Sequence, residues 1–141
     1  MLVHPAETGE PRECKAWLKR LVLRGVVIYL PEITDYELRR ELLRMERTES
    51  IRRLDELKVR LRYAPITTEA MLKAAEFWAA ARSAGRPTAD SKALDADAIL
   101  AAQSTLVGDP GDVVVVATTN VGHLSLFVNA SPWREIPFQE T

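Results

Sequence analysis

The sequence predicts a three-layer α/β/α fold built on a parallel sheet, and three observations predict it. Two runs, 26-VVIYL-30 and 113-VVVVAT-118, are apolar or small throughout, without polar alternation. Short continuous runs rich in β-branched residues read as strands buried on both faces, which belong in parallel sheets covered by helices. Helical periodicity fills the intervals between them, and the alternation of the two element types is that of an α/β sandwich. The chain is organised around 113-VVVVATTN-120, whose start is punctuated by Gly108, Pro110 and Gly111. Ligands of open parallel sheets bind beyond the carboxyl ends of the strands, so Asn120 stands where chemistry is expected.

The totals suit this class. A chain of 141 residues forms one domain with one core, here 1–141 with a tail over 137–141. Apolar content of 47% and charged content of 28% are those of a soluble globular protein. No apolar run approaches the roughly 20 residues that span a bilayer, so no membrane role is expected. No basic segment followed by an apolar one marks the amino end, which makes the cytoplasm the expected location. A single cysteine, Cys14, excludes an internal disulfide and a cysteine-based zinc site. The net charge of −1 hides an asymmetry: residues 1–62 carry 14 Lys+Arg against 11 Asp+Glu, and residues 63–141 carry 5 against 9. A solvated face explains this; so does a basic half that meets an anionic polymer beside an acidic half that holds a cation.

Taken in order, residues 1–11 read as loop. From about Arg12, the positions Cys14, Trp17, Leu18, Leu21 and Val22 form one helical stripe, stopped by Gly25. The strand over 26–30 closes at Pro31. A helix over 34–47 follows, with Thr34 and Glu37 at capping-box spacing and Leu38, Leu42 and Met45 as its stripe. Another starts near Ser50, with Ile51, Leu54, Leu57 and Leu61 inward. Tyr63 to Ile66 is a short strand that Pro65 moves towards an edge. Residues 68–84 are the clearest helix, with Met71, Ala74, Trp78 and Ala81 at heptad-like spacing. Small residues over 95–106 suit a helix that packs closely on the sheet. After the central strand, 121–127 reads as a short helix and Trp133 to Ile136 as a final edge strand.

Several oxygen-bearing side chains gather at the expected carboxyl edge. Hydrolytic phosphoryl transfer needs a divalent metal, and Mg²⁺ or Mn²⁺ takes oxygen ligands, most often carboxylates. Glu37 lies just inside a helix that follows a strand. Asp90, Asp95 and Asp97 surround another helix start, and Asn120 ends the central strand. Each has a plainer reading: Glu37 as capping-box acid, Asp95 and Asp97 as helix-dipole acids, Asp90 as a loop former and His123 as a turn residue. No glycine-rich phosphate loop and no nucleophile–histidine arrangement is present.

Together, 31-PEITDYELRREL-42, 95-DADAILAAQ-103 and 115-VVATTNVGHLSLF-127 resemble the PIN-domain family, metal-dependent ribonucleases that include toxins of bacterial toxin–antitoxin pairs. The resemblance covers about residues 13–136. It implies an endoribonuclease that hydrolyses RNA phosphodiester bonds with Mg²⁺ or Mn²⁺. It places the family's helix glutamate on Glu37, its mid-domain aspartate on Asp97 with Asp95 as a neighbour able to substitute, and its late acidic or amide position on Asn120. The following Asp-Phe of the family is replaced by His123-Leu124. Arg39, Arg40, Arg44 and Arg47 stand where they could contact RNA phosphates, or form a charged face paired with Glu41 and Glu46. Implied partners are RNA, an antitoxin protein and a second copy of the chain.

The departure is at the front. PIN domains open with an apolar strand ending in Asp-Thr or Asp-Ser, and that Asp is a metal ligand. No such strand is legible here: Met1-Leu2-Val3 looks like the residues just after it. The expectation is a sheet whose N-terminal strand is missing, through a start codon placed too late, and a chain whose catalysis is impaired. The alternative function is a catalytically inactive PIN-like module that binds protein or RNA. A phosphorylated receiver-like regulator is disfavoured, because a paired-acid strand end and a late lysine are absent.

Overall fold

The structure, a computed structural model, describes residues 2–3, 11–84, 91–118 and 121–136. Five short strands form one parallel sheet: β1 (Leu2–Val3), β2 (Tyr29–Pro31), β3 (Arg62–Ala64), β4 (Val116–Ala117) and β5 (Ala130–Ser131), in the order β3-β2-β1-β4-β5. Around it lie α1 (Pro11–Leu23), α2 (Glu32–Arg44), α3 (Thr48–Arg60), α4 (Thr68–Ser83), α5 (Ser91–Thr105) and the single turn α6 (Val121–Leu124). The α/β class expected from the sequence is the class observed.

Three expectations need correction. The central place is not empty: Leu2 pairs with both Tyr29 and Val116, and Val3 with Ala117. Two extended apolar residues suffice to hold register on both sides. The apolar runs, however, are only partly strand. Val26 to Ile28 and Val113 to Val115 precede the paired residues, and Val113 is 78% exposed. Finally, Trp133–Glu135 is a 3-10 turn, and the edge strand is Ala130–Ser131. Pro132 lacks the N–H that a continued ladder needs, so the chain turns there.

The helix boundaries follow from local chemistry. At the end of α1, the Gly25 N–H donates to Val22 O and the Val26 N–H to Leu21 O, both at 3.0 Å. These bonds make a Schellman cap, with Gly25 at φ 77° in the left-handed region that glycine enters freely. The Thr67 hydroxyl caps α4 by accepting from the Ala70 N–H at 3.1 Å. The helix begun at Glu32 has Pro31 before it, which is well placed to start a helix but offers no side-chain cap.

One face of the sheet buries Ile33, Leu100, Ala101, Val116 and Leu124 beneath α2, α5 and α6. The other side gathers Trp17 and Leu21 of α1 with Ile28, Ala117 and Ile136. A third cluster of Ala74, Ala98 and Ala102 joins α4 to α5, where side chains of one carbon let the two helices approach closely.

Candidate active site

The site is built where β2 turns directly into α2. The first amides of a helix have no partner inside it, and here one is held by another helix: the buried Gln103 of α5 accepts the Ile33 N–H at 3.3 Å. The Gln103 amide nitrogen donates to Ala64 O at the end of β3, at 2.6 Å. Beside it the Glu32 carboxylate accepts the Ile66 N–H at 2.8 Å and the Tyr63 hydroxyl at 3.0 Å. Burial, and then this carboxylate, push the Tyr63 phenol above the ordinary tyrosine range. One glutamine and one glutamate thus lock α2, α5 and the end of β3 together at the carboxyl edge.

From this junction the two principal candidates can be placed. Ile33 is buried in one cluster with Leu100 and Ala101. Glu37 is four residues after Ile33. Asp97 is three residues before Leu100 and four before Ala101. Residues three and four apart share a helix face, so both carboxylates stand on the stripes by which α2 and α5 face each other. Asp97 is half-buried, with its Oδ2 atom fully buried. The Glu37 side chain is 30% exposed and lies 3.8 Å from Arg40. Glu37 occupies the second turn of α2, so the capping-box arrangement with Thr34 does not form: Thr34 is itself helical and wholly buried.

Asp95 belongs to a different surface. Two residues turn a helix by about 200°, and Asp95 lines an open groove of about 380 Å³ with Met71, Ala74, Ala75, Trp78, Ala98 and Ile99. It does not share the face of Asp97, and the substitution for Asp97 expected of it has no support in this geometry. Asn120 and Asp90 lie outside the described residues, as does the side chain of His123.

The arginines divide as well. Arg39 is engaged between helices, donating to Asp35 at 3.0 Å and to Asp55 of α3 at 2.8 Å. The hydrogen bond to Asp55 is the main cause of its raised pKa. It is a clamp from α2 to α3, which corrects the expectation that it is offered to phosphate. Arg40 is exposed and stacks over Tyr36 at 5.1 Å, Arg44 is exposed and paired with Glu41 at 2.8 Å, and Arg47 is exposed. Among the described residues, no group of three or more His, Cys, Asp or Glu is arranged to hold a metal ion.

Sequence reasoning missed Glu32, Asp35 and Gln103. Glu32 directly after a strand-ending proline carries a signal, an acid in the first turn of a helix. Gln103 carries none, because its partners lie 39 and 70 residues away.

No family model matches the sequence, and no curated protein matches it. Solved structures do. A chain of FitAB bound to an IR36 DNA fragment covers 99% of this chain and 100% of its own length, with 19% identity and a TM-score of 0.69. A chain of FitAcB from Neisseria gonorrhoeae covers 96% and 100%, with 24% identity and a TM-score of 0.60. The fold is PIN-like. At these identities the likeness concerns the path of the backbone, and the roles of Glu37 and Asp97 have to be argued from their own placement on the PIN-like frame.

Proposed function

We propose that this chain is a PIN-like endoribonuclease that hydrolyses RNA phosphodiester bonds with Mg²⁺ or Mn²⁺, and that it serves as the toxin of a toxin–antitoxin pair. The reading is supported by the packing of Ile33 of α2 with Leu100 and Ala101 of α5, from which helical spacing puts Glu37 and Asp97 on the sides by which the two helices meet, near the edge where parallel sheets bind ligands. The donor set suits the ion in kind: two carboxylates, one with a buried oxygen, are the hard ligands that Mg²⁺ and Mn²⁺ take. Glu37 and Asp97 would hold the cation, with Asn120 orienting a ligand through hydrogen bonds. When bound, such a cation lowers the pKa of water and offsets charge on a phosphodiester. The chain's own part is to fix both carboxylates through the Gln103 and Glu32 junction. Arg40 and Arg44 on α2 and Arg47 just beyond it are exposed and could exchange their present contacts for phosphates. The neighbour FitAB is bound to DNA, which supports a nucleic-acid setting and a partner protein for this chain. Cytoplasmic residence belongs to the same reading; no helix among the described residues is long and apolar enough to cross a membrane.

The test uses the 141-residue chain with a single-stranded RNA and Mn²⁺. Glu37→Gln and Asp97→Asn should each cut the cleavage rate by at least about a hundredfold, the scale of a lost catalytic group. Each should also remove the rise in melting temperature that Mn²⁺ produces, because a ligand bound only by the folded state stabilises it. Glu41→Gln, one turn along and paired with Arg44, should change neither. Full cleavage and a full Mn²⁺ shift in Glu37→Gln would overturn the assignment.

A second reading is favoured by one observation: among the described residues, no group of three or more His, Cys, Asp or Glu is arranged to hold a metal ion. On that reading the chain is a PIN-like module that binds RNA or a partner protein without catalysis. RNA binding with neither cleavage nor a Mn²⁺ shift would select it.

A further inference from the structure

We propose that Tyr36 is a stacking platform for one unpaired base of the RNA, and that the phosphates of that strand follow Arg40 and Arg44 along α2. The inference rests on the RNA-nuclease reading above and adds to it a residue that selects an unpaired strand. It starts from spacing. A helix turns once in 3.6 residues, so positions four apart lie almost above one another, about 6 Å apart along the axis. Tyr36, Arg40 and Arg44 are three such positions, and all three are exposed. Their line leads from the second turn of α2, where Glu37 also stands, to the end of the helix, with Arg47 just beyond.

The ring is offered to solvent rather than packed. Tyr36 is 55% exposed, although the Arg40 guanidinium already lies over it at 5.1 Å. An aromatic ring left more than half in water beside a row of cations has the form of the surfaces on which single-stranded nucleic acid stacks. Arg40 also ties the platform to the acidic site, since its guanidinium lies 3.8 Å from the Glu37 carboxylate. A base held on Tyr36 therefore keeps its strand beside the candidate ligand. Bases inside a duplex are already stacked and paired and offer no free face, so the platform takes an unpaired base. The arginines on the line can turn to phosphate at low cost. Arg44 pairs with Glu41 at 2.8 Å, but both are exposed, and water screens such a pair. Arg39, one residue off the line, is instead committed to Asp35 and Asp55.

The probe is a fluorescein-labelled octauridylate, bound to the 141-residue chain in EDTA so that no cleavage is required, beside an octamer of the same sugar–phosphate chain without bases. Fluorescence anisotropy should show Tyr36→Ala losing about 5- to 150-fold in affinity for octauridylate, the range of one base–aromatic stack, and losing nothing on the abasic octamer. Tyr36→Phe keeps the ring and should bind octauridylate as the wild type does. Arg40→Gln and Arg44→Gln should weaken both octamers alike, each flattening the slope of log K against log salt by about 0.7. The proposal is overturned if Tyr36→Ala binds octauridylate as tightly as the wild type, or if Tyr36→Phe is as weak as Tyr36→Ala. It is also overturned if Tyr36→Ala loses equally on both octamers, as a folding defect would. The nuclease reading fails separately: octauridylate binding that depends on Tyr36, without Mn²⁺-dependent cleavage, would overturn that reading and uphold this inference.

Discussion

Two buried polar side chains sit three helical turns or less from the candidate ligands and face opposite fates on substitution. Gln103, 2% exposed, satisfies the Ile33 N–H and Ala64 O at once. Gln103→Leu would leave both backbone groups buried and unmet, at about 1–3 kcal/mol each. Urea unfolding should therefore show a loss of about 2–4 kcal/mol. Thr34 is wholly buried, and its hydroxyl has no hydrogen-bond partner. Thr34→Val keeps the shape and removes the desolvated hydroxyl, so it should raise stability by about 1 kcal/mol in the same assay. Tyr63 supplies a pH dependence. Its phenol is held protonated by burial and by Glu32, so its folded pKa is raised above the ordinary value of about 10. The contribution of its hydrogen bond is present below pH about 10 and is lost as pH rises from there towards the folded value. Tyr63→Phe should be less stable than the wild type at pH 7, and that gap should narrow on titration above pH 10. In an absorbance titration, the latest-ionising of the three tyrosines should disappear in the variant.

At the scale of elements, α2 and α3 are joined by one guanidinium bridging Asp35, 8% exposed, and Asp55, 59% exposed. The Asp55 arm is largely in solvent. A double-mutant cycle between Arg39 and Asp55 should return only about 0.5 kcal/mol, and less at high salt, because water screens such pairs. The turn after α1 carries more: Gly25→Ala meets no steric neighbour but must hold φ 77°, costing about 1 kcal/mol in thermal unfolding. That turn was legible in the sequence, as were all five long helices, because a glycine after an apolar stripe and a period of 3.6 are local signals. Strand extent was not legible. Val113 reads as buried strand from its neighbours, yet it is 78% exposed, because burial is decided by what packs beside a residue from elsewhere in the chain. The same limit governed the site. Glu37 and Asp97 can be picked as candidates from their own segments, and the helix faces they stand on follow by spacing from the packed Ile33, Leu100 and Ala101. The fate of Arg39 could not be read locally, since Asp55 sits one helix further on. Asp95 was misplaced because a two-residue step changes a helix face.

Across the whole molecule, the first helix and the last described turn meet in one aromatic contact. Trp17 of α1 is 2% exposed, and its ring lies 5.4 Å from that of Trp133 in the 3-10 turn, tilted by 49°. Ile136, Ala117 and Ile28 complete the cluster. Among the described residues, α1 enters the core through this cluster, so the layer that covers one side of the sheet depends on a closing segment more than 100 residues later. Contacts so distant in sequence cost loop-closure entropy and tend to form late in folding. Once formed, the tilted indole pair offsets that cost by the apolar surface it buries, with an aromatic pair contribution of about 0.5–1.5 kcal/mol beyond burial. Trp133→Ala should therefore cost about 2–3 kcal/mol, below the 3–5 of a fully buried tryptophan because Trp133 is only half-buried. Most of that loss should appear as faster unfolding, the behaviour of contacts made after the transition state. Stopped-flow fluorescence of the remaining tryptophans reads this directly: an unchanged folding limb with a raised unfolding limb is expected, and a slowed folding limb would place this contact in the nucleus instead.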